Sequence, residues 1–326
     1  MRVSVVLAVA GLPLRDSIDL AQQAEAAGCD TIAAGEAGYD SFAVSALLAQ
    51  ATTRARVMTT VTTWARPPVL TATGALTVAE LAPGRFALGL GTMPEAWNRD
   101  HYGIEPSRPA ARMREYVRCV RGAYAATPAA PFSLDGRFFS VRGFARQWPR
   151  PPGGALSIHL AATRPLMARL AGEVADGVLF NVIHTRRWLR DVLGPAVAEG
   201  ERSRGARVER GVMVRVVPHA EGDRGRALEQ ARLAVAPYAD VPYLADVLAH
   251  QGWQPAAATS TALEELAVVG TVEELVPRLL EYRDLVDWLL LAPPRLLPPA
   301  EMHAWYDTVL GSVVPAVSSG PAGAPP

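Results

Sequence analysis

The chain has 326 residues, half of them hydrophobic and a fifth charged, and its 32 basic residues balance 32 acidic ones. The sequence contains no lysine, so every basic residue is an arginine. This excludes reactions that need a lysine amine, such as those of Schiff-base aldolases, pyridoxal-phosphate enzymes and P-loop proteins. A net charge of zero also disfavours general nucleic-acid binding, which uses an excess of basic residues.

Cysteine and histidine usage predicts neither a disulfide framework nor a metal site. Cys29 and Cys119 lie far apart and outside any CxxC pattern, and the six histidines lack the spacing of metal ligands. The first apolar run, Val3 to Val9, is too short for a signal peptide, and no segment reaches the roughly 18 apolar residues of a membrane span. We therefore expect a cytoplasmic protein with no membrane partner.

Short apolar segments alternate with segments of helical periodicity along the chain. The predicted strands are Val3–Leu7, Thr31–Ala34, Val57–Val61, Phe86–Gly89, Ile158–Leu160, Gly177–Phe180, Val212–Val217 and Trp288–Leu291. The predicted helices are Leu14–Gly28, Phe42–Ala51, Pro68–Leu81, Pro109–Tyr124, Leu166–Ala175, Trp188–Gly200, one from Arg224 onward, Leu275–Tyr282 and Pro299–Leu310.

Strands that are apolar at every position are typical of a parallel sheet with helices on both faces. Eight such units predict an α/β fold, a (β/α)8 TIM barrel with insertions at its carboxyl-terminal face, with an open doubly wound sheet as the alternative. Residues 1–317 are predicted to form this single domain and residues 318–326 a disordered tail. Thr127–Gly154, with a hairpin-like core at Phe138-Phe139, and Pro237–Thr261 are predicted as insertions or loops.

Functional residues of such a barrel follow the carboxyl ends of its strands. After the fourth predicted strand, Gly89 and Gly91 would let a flat ligand approach the backbone. A tight turn followed by a solvated polar loop explains the segment equally well. The polar residues that follow are Glu95, Asn98, Asp100 and His101.

After the fifth predicted strand, the segment Ala161–Thr163 precedes a helix, where backbone N–H groups and the helix dipole favour an anion, with Arg164 close by. Thr163 is also suited to cap that helix, and the two roles are compatible. Glu36, after the second strand, is either a ligand contact or a solvated carboxylate. His184 is well placed after the sixth strand, whereas His159 is expected in the core. These features favour a flat, phosphate-bearing cofactor over a metal.

Six segments, in order along nearly the whole chain, match a known family. They are LAQQAEAAGCD (20–30), RFALGLGT (85–92), PEAWNRDHYG (94–103), RPAARMREYV (108–117), AGEVADGV (171–178) and VGTVEEL (269–275). Together they resemble the bacterial luciferase-like superfamily, whose fold is a (β/α)8 barrel. Within it the chain is similar to the coenzyme F420-dependent oxidoreductases, which include methylene-tetrahydromethanopterin reductase and a glucose-6-phosphate dehydrogenase.

The resemblance implies a site for the deazaflavin ring and phosphate-bearing tail of F420. In the family, a non-prolyl cis peptide at the end of the third strand lies behind the ring, and it would fall at about Thr60-Val61 here. Glu95 matches an acidic residue that transfers a proton in the sugar-phosphate enzyme. The cofactor-binding residues implied are Thr60, Val61, Thr62, Gly91, Thr92, Ala161, Ala162, Thr163, Gly177, Phe180 and Asn181.

One position departs from the dehydrogenases of this family. They carry an Asp-His pair after the second strand, and the histidine can take the proton of a substrate hydroxyl, whereas this chain has Gly35-Glu36. A carboxylate is a weaker base unless burial raises its pKa. The sequence therefore favours the reductive direction, with hydride passing from reduced F420 to a C=C or C=N bond of a small metabolite or natural-product intermediate. The candidate catalytic residues are Glu36, Glu95 and His101.

Two other functions remain open at this point. An FMN-dependent monooxygenase of the same superfamily would activate O2 at a flavin, and a non-catalytic relative would only bind a ligand. The small residues at 161–163 and the PEAWN segment favour the F420-dependent enzyme. The family also implies a homodimer.

Overall fold

The computed structural model describes residues 1–7, 12–36, 38–147, 154–253, 260–295 and 297–319. The strands are β1 Arg2–Leu7, β2 Thr31–Ala34, β3 Arg56–Thr59, β4 Thr62–Thr63, β5 Phe86–Gly91, β6 Phe132–Asp135, β7 Ser140–Phe144, β8 Ser157–Ala162, β9 Gly177–Phe180, β10 Glu209–Pro218, β11 Ala267–Gly270 and β12 Trp288–Ala292. The helices are α1 Asp16–Ala26, α2 Ser41–Ala51, α3 Pro68–Leu81, α4 Glu95–Asp100, α5 Pro109–Ala125, α6 Pro165–Val174, α7 Arg186–Trp188, α8 Gly194–Arg204, α9 Arg224–Ala239, α10 Pro242–His250, α11 Ser260–Glu264, α12 Val272–Leu280, α13 Pro299–Thr308 and α14 Val314–Ser319, with π-helical turns at Leu189–Leu193 and Val309–Val313.

Eight parallel strands close into a barrel in the order β1, β2, β3, β5, β8, β9, β10 and β12. The ring is completed where β12 pairs with β1, from Arg2 opposite Trp288 to Val5 opposite Leu291. Helices follow most of the strands and cover the outer face. The predicted (β/α)8 barrel is confirmed, and the open doubly wound sheet was wrong because such a sheet would leave two edges unpaired.

The two predicted insertions have different structures. Residues 127–154 contain the antiparallel hairpin of β6 and β7, as their Phe138-Phe139 core indicated. The second segment, predicted as an insertion or loop, is mostly helical where it is described, because it contains the end of α9 and all of α10. Residues 254–259, within the same insertion, lie outside the described part of the chain.

The strand β11 was missed by the sequence analysis, which noted its residues only for their family resemblance. Residues 209–212 of β10 pair with β9, and residues 215–218 pair with β11. Arg215 also pairs with Ala292 of β12, so β11 lies on the opposite edge of β10 from β12. It therefore extends the barrel wall at the carboxyl-terminal end.

Side-chain alternation divides each barrel strand between an outer and an inner face. The outer residues, such as Ile32, Leu88 and Leu160, pack against the helices in the main hydrophobic core. The inner residues form a separate buried cluster, which consists of Val6, Ala33, Met58, Ala87, Leu179, Trp288, Leu290 and Ala292, with Met213 packed against it. Toward the carboxyl ends, the inner positions include Gly35 directly after β2, Gly89 and Gly91 in β5, and Ala161 in β8. The barrel is thus filled below and lined by small residues near its mouth.

The amino-terminal end of the barrel is closed by charged groups. Glu209 accepts hydrogen bonds from both Nη atoms of Arg56, at 2.9 and 3.3 Å, and forms an ion pair with Arg2. His159 is buried, with its Nε2 at 3.4 Å from Glu209, and burial lowers its pKa to about 4. The prediction that His159 belongs to the core is confirmed.

The carboxyl-terminal part of the chain ends in a helix over the described residues. The predicted tail began at residue 318, whereas α14 continues through Ser319, and residues 320–326 lie outside the described part. The boundary of the domain at residue 317 stays a prediction. Within the described residues, no helix combines the length and the apolar character that crossing a membrane requires.

Glu25, near the end of α1, binds the backbone of the segment that precedes β3, and this contact provides a test of the fold. Its Oε1 accepts hydrogen bonds from the backbone N–H groups of Thr53, Arg54 and Ala55 at 2.9, 2.7 and 2.8 Å. Partial burial by itself would raise the pKa of this carboxyl, but these hydrogen bonds outweigh it and lower the pKa from 4.5 to about 2.

We expect Glu25→Gln to lower the melting temperature at neutral pH and to flatten its acid dependence. A carboxyl with a lowered folded-state pKa stabilises the fold above its unfolded pKa, and this stabilisation is lost as pH falls from about 4.5 toward 2. Melting curves between pH 2 and 7 measure the effect, with Glu229→Gln, an exposed residue paired with Arg232, as control. Identical pH profiles for Glu25→Gln and the unchanged protein would contradict it.

Candidate active site

The end of β3 has the geometry that the family resemblance implied. The Thr60-Val61 peptide bond is cis, and pairing with β5 resumes at Thr62 and Thr63. The predicted strand Val57–Val61 was therefore too long, because regular pairing ends at Thr59. The Thr60 N–H donates to the carbonyl of Ala34 at 2.7 Å, which attaches this bend to the end of β2.

Val61 lies directly against Gly91 and close to Ala161. A Cβ atom on Gly91 would stand 2.3 Å from Val61 Cγ2 and 3.7 Å from the Cβ of Ala161. Gly89 is restricted in the same way, since its Cβ would stand 2.0 Å from the carbonyl oxygen of Thr59. Three predicted cofactor-binding residues from three strands thus form one surface, here called the Val61 platform: Val61, Gly91 and Ala161. Val61 and Ala161 are partly exposed and Gly91 is buried, so the exposed part of this surface consists of Val61 and Ala161.

Asn98 holds the loop that follows β5. It is fully buried, and its Nδ2 donates to the carbonyls of Thr92 at 2.7 Å and Pro94 at 2.9 Å. Its Oδ1 accepts from Trp64 Nε1 at 2.7 Å. The sequence predicted Asn98 as one of a cluster of polar loop residues. In the structure, the Asn98 side chain has hydrogen-bond partners after both β4 and β5, and it therefore fixes the position of Thr92, a predicted cofactor contact.

His184 joins the loops after β8 and β9. Its Nδ1 accepts the backbone N–H of Asn181 at 3.1 Å, so its Nε2 carries the proton and faces the carbonyl of Thr163 at 3.2 Å. Burial lowers the pKa of His184 to about 3, which keeps the ring neutral. His184 therefore positions two predicted cofactor-binding residues and is a positioning residue itself.

At the predicted anion site after β8, the start of the helix is free of a side-chain cap, but Arg164 is bound elsewhere. Arg164, expected to assist an anion, donates instead to Asp246 Oδ2 at 2.8 Å and to the carbonyl of Tyr243 at 2.9 Å. Thr163 does not cap α6, since the N-cap residue is Arg164 and no side chain caps that end. The first turn of α6 is thus uncapped, as an anion-binding helix start requires, and the roles of Ala162 and Thr163 stay predictions.

Three other predicted cofactor residues lie behind the site or away from it. Gly177 begins β9 at the amino-terminal end, where a Cβ would meet the ring of His159 at 2.2 Å. Phe180 packs in the outer core, and the hydroxyl of Thr62 is buried 2.9 Å from that of Ser41. None of the three lies on the Val61 platform.

Glu36 is the predicted catalytic residue with the most distinctive surroundings. Its Oε2 accepts the Thr63 N–H at 2.7 Å, and its Oε1 accepts Arg66 Nη1 at 3.2 Å. The same Nη1 is shared with Asp40 at 2.6 Å. Burial raises the pKa of Glu36 in spite of these hydrogen bonds. Burial, together with the charge of Glu36, also raises the pKa of Tyr102.

Glu95 and His101 lie at the two ends of α4. The side chain of Glu95 is 65% exposed and forms an ion pair with Arg99 at 2.7 Å. His101 is exposed and contacts the rings of Trp97 and Tyr102, with centroids 5.6 and 6.4 Å apart. Their catalytic roles stay predictions, since the structure shows no contact of either with Glu36 or the platform.

Of the buried polar atoms that lack a hydrogen-bond partner among the described residues, three lie near the mouth of the barrel. They are Thr60 Oγ1, Asn181 Oδ1 and Arg215 Nε, each buried and at a strand's carboxyl-terminal side. Buried polar atoms are almost always hydrogen-bonded, so such a set fits a bound polar ligand. Arg215 was missed by the sequence analysis; the available signal was an arginine inside an otherwise apolar strand. In the described residues, no group of three metal-ligating side chains comes together.

The sequence profile of the luciferase-like monooxygenase family matches residues 1–287. The chain belongs to this family. The predicted resemblance is therefore confirmed, and the match covers every strand of the barrel except β12, which begins one residue after the match ends.

Sequence relatives include enzymes with named activities. The chain is 30% identical over 240 residues to the F420-dependent glucose-6-phosphate dehydrogenase of Rhodococcus erythropolis, covering 67% of this chain and 68% of that protein. It is 30% identical over 171 residues to the 5,10-methylenetetrahydromethanopterin reductase of Archaeoglobus fulgidus, covering 52% and 48%. An uncharacterized Mycobacterium tuberculosis protein is 29% identical over 249 residues, covering 74% and 73%.

Solved structures share the fold at low sequence identity. An F420-dependent secondary alcohol dehydrogenase, in complex with an F420-acetone adduct, superimposes with a TM-score of 0.78 at 18% identity, covering 97% of this chain and 98% of that one. The monooxygenase RslO1 from Streptomyces bottropensis superimposes with a TM-score of 0.75 at 18% identity, covering 97% and 99%. One barrel architecture is thus common to F420-dependent enzymes and to monooxygenases.

We expect Gly91→Ala to disrupt the Val61 platform. The new methyl group would stand 2.3 Å from Val61 Cγ2, and the stiff, branched valine must move together with its backbone. Overpacking of this kind costs about 1–3 kcal/mol and should weaken cofactor binding at least tenfold. Melting curves and a cofactor titration measure the two effects. Gly225→Ala is the matched control, because nothing lies within 4 Å of a Cβ there; unaltered binding by Gly91→Ala would show that the platform does not contact the cofactor.

Proposed function

We propose that this protein is an F420-dependent oxidoreductase that works as a reductase. It would pass hydride from reduced F420 to a C=C or C=N bond of a small metabolite or natural-product intermediate. The observation that carries the proposal is the Val61 platform, a side-chain-poor surface built from three strand ends at the mouth of the barrel. The named activities of the sequence relatives support the same cofactor.

The residues at the mouth fit a flat cofactor with polar edges and an anionic tail. The ring would lie against Val61, and Thr60 Oγ1 and Asn181 Oδ1 are buried polar atoms that lack protein partners. The backbone after β8, at Ala162 and Thr163, together with the uncapped start of α6, would hold the phosphate of the tail. When bound, reduced F420 supplies the hydride, and the chain supplies placement and a proton.

Glu36 is the group best suited to supply that proton. Because burial raises its pKa, its carboxyl keeps a proton to higher pH than an exposed glutamate does. The backbone N–H of Thr63 holds it beside the segment that contains Val61. Reduction requires a proton on the atom next to the one that receives hydride, so a protonated Glu36 supports the reductive direction.

The alternative is an FMN-dependent monooxygenase. The family description and the fold shared with RslO1 favour it, and the Val61 platform would accept an isoalloxazine ring as well as a deazaflavin. The two cofactors differ in their reaction with oxygen, so binding and oxygen consumption distinguish the functions.

A parallel titration with F420 and FMN tests the cofactor. We expect oxidised F420 to quench tryptophan fluorescence at micromolar concentration, with FMN binding at least tenfold more weakly. Reduced F420 should then be reoxidised, with growth of absorbance at 420 nm, only when an unsaturated or imine acceptor is present. Tight FMN binding with oxygen consumption and no response to F420 would establish the monooxygenase instead.

The pH profile of Glu36→Gln tests the proton donor. With the unchanged protein, the hydride-transfer rate should be highest at low pH and fall as pH rises through the raised pKa of Glu36, because only the protonated carboxyl is an acid. We expect Glu36→Gln to lose about 10²–10⁴-fold in rate, together with this alkaline decline, while its F420 affinity stays unchanged. A retained rate, or a loss of F420 affinity alone, would assign Glu36 a structural role.

A further inference from the structure

Arg215 occupies an unusual place for a charged residue. It lies in β10, is 4% exposed, and pairs in register with Ala292, the last residue of β12. A Cβ on Gly211 would meet the inner residue Trp288, and Met213 packs against the inner cluster. By alternation, Arg215 is the next residue of β10 on that inner face. Its guanidinium therefore enters the barrel at its mouth.

The guanidinium of Arg215 has no acidic partner. Its Nη1 donates to the carbonyl of Pro293, its Nη2 donates to the hydroxyl of Tyr238 at 3.3 Å, and its Nε has no partner. No carboxylate of the described chain lies within 4.0 Å of it. Three other arginines have a buried Nε without a partner among the described residues. Arg66 pairs with Glu36 and Asp40 and Arg210 pairs with Glu201, whereas Arg112 lies over the rings of Trp64 and Phe138.

A second positive charge lies next to the same tyrosine. The guanidinium carbon of Arg295 stands 5.9 Å from the centre of the Tyr238 ring, and Arg295 also lacks a carboxylate within 4.0 Å among the described residues. Burial, with a contribution from the charge of Arg295, lowers the pKa of Arg215. Arginine nevertheless stays protonated in proteins, so the buried charge needs an anion to balance it.

The position of β10 separates this charge from the Val61 platform. Around the ring, β3 is followed by β5, β8, β9 and β10 in one direction and by β2, β1, β12 and β10 in the other. The two strands thus stand on opposite sides of the barrel. A molecule anchored at Arg215 would extend across the mouth toward a ring that lies on Val61, whereas the predicted phosphate site of the cofactor follows β8.

We propose that Arg215, with Tyr238 and Arg295 beside it, binds an anionic group of the substrate. A carboxylate, phosphate or sulfonate accepts paired hydrogen bonds from a guanidinium, and any of them would neutralise the buried charge. The substrate of this enzyme is therefore a small anionic molecule with its reducible bond placed away from the anion. The assignment to the substrate, rather than to the cofactor, rests on the proposed function.

Sulfate is the probe for this site, because it tests the anion without knowledge of the substrate. Melting temperature is followed against sulfate concentration, with chloride added to hold ionic strength constant, for the unchanged protein, Arg215→Gln, Arg215→Lys and Arg295→Gln. Arg210→Gln, on the same strand but with its own carboxylate partner, is the matched control. F420 affinity is measured for every variant, with and without sulfate.

We expect sulfate affinity to fall at least tenfold in Arg215→Gln, less in Arg215→Lys and Arg295→Gln, and not in Arg210→Gln. F420 affinity should be the same in all of them and unaffected by sulfate. Equal sulfate affinity in the unchanged protein and Arg215→Gln would overturn the anion site. If Arg215→Gln does not fold, unchanged sulfate affinity in both Arg215→Lys and Arg295→Gln would overturn it instead. Competition between sulfate and F420 would assign Arg215 to the cofactor's tail and overturn the substrate assignment. Sulfate binding that depends on Arg215, in a protein that does not bind F420, would support the anion site and contradict only the proposed cofactor.

Discussion

The contact between Val61 and Gly91 is the constraint on which the site depends. Because Gly91 has no side chain, the segment after β3 can lie against β5, and Ala161 of β8 is small enough to complete the same surface. Hydrogen bonds from outside the surface hold the pieces in place. Asn98 fixes the loop after β5, and His184 fixes the loops after β8 and β9. Any side chain at position 91 would collide with Val61, and a side chain larger than methyl at position 161 would fill space that a flat cofactor needs.

Charge is distributed unequally along the barrel axis. At the amino-terminal end, the carboxylate of Glu209 forms ion pairs with Arg2 and Arg56, so its charge is neutralised by protein groups. At the mouth, Arg215 is buried with no carboxylate of the described residues within 4.0 Å, and burial raises the pKa of Glu36. Stability alone would favour pairing or removing such groups, since a buried unpaired charge is costly. Both groups lie at the same end of the barrel, Glu36 on the β2 side and Arg215 on the β10 side.

Sequence reasoning was most accurate where a property is local. Eight apolar strands separated by helical segments identified the barrel, and the resemblance to the family implied the cis bond at Thr60-Val61. It failed where a short segment carries little pattern, as for the four residues of β11, and where helical periodicity was interrupted by prolines, as in residues 237–261. It placed Gly177 in the site because a strand's sequence does not show which of its residues will lie at the mouth.

The sequence by itself determined the fold class, the family and the small residues at the strand ends. Each of these is recognised from short stretches of consecutive residues, such as an apolar strand, a family segment or a glycine after a strand. The tertiary structure alone decided which polar groups are paired. Trp64 and Asn98 are 34 residues apart, and Arg215 and Pro293 are 78 apart, so no local pattern reports their hydrogen bonds. Closing the barrel brings these residues together, and it also leaves Arg215 without an acidic partner among the described residues, which the sequence of β10 alone does not show.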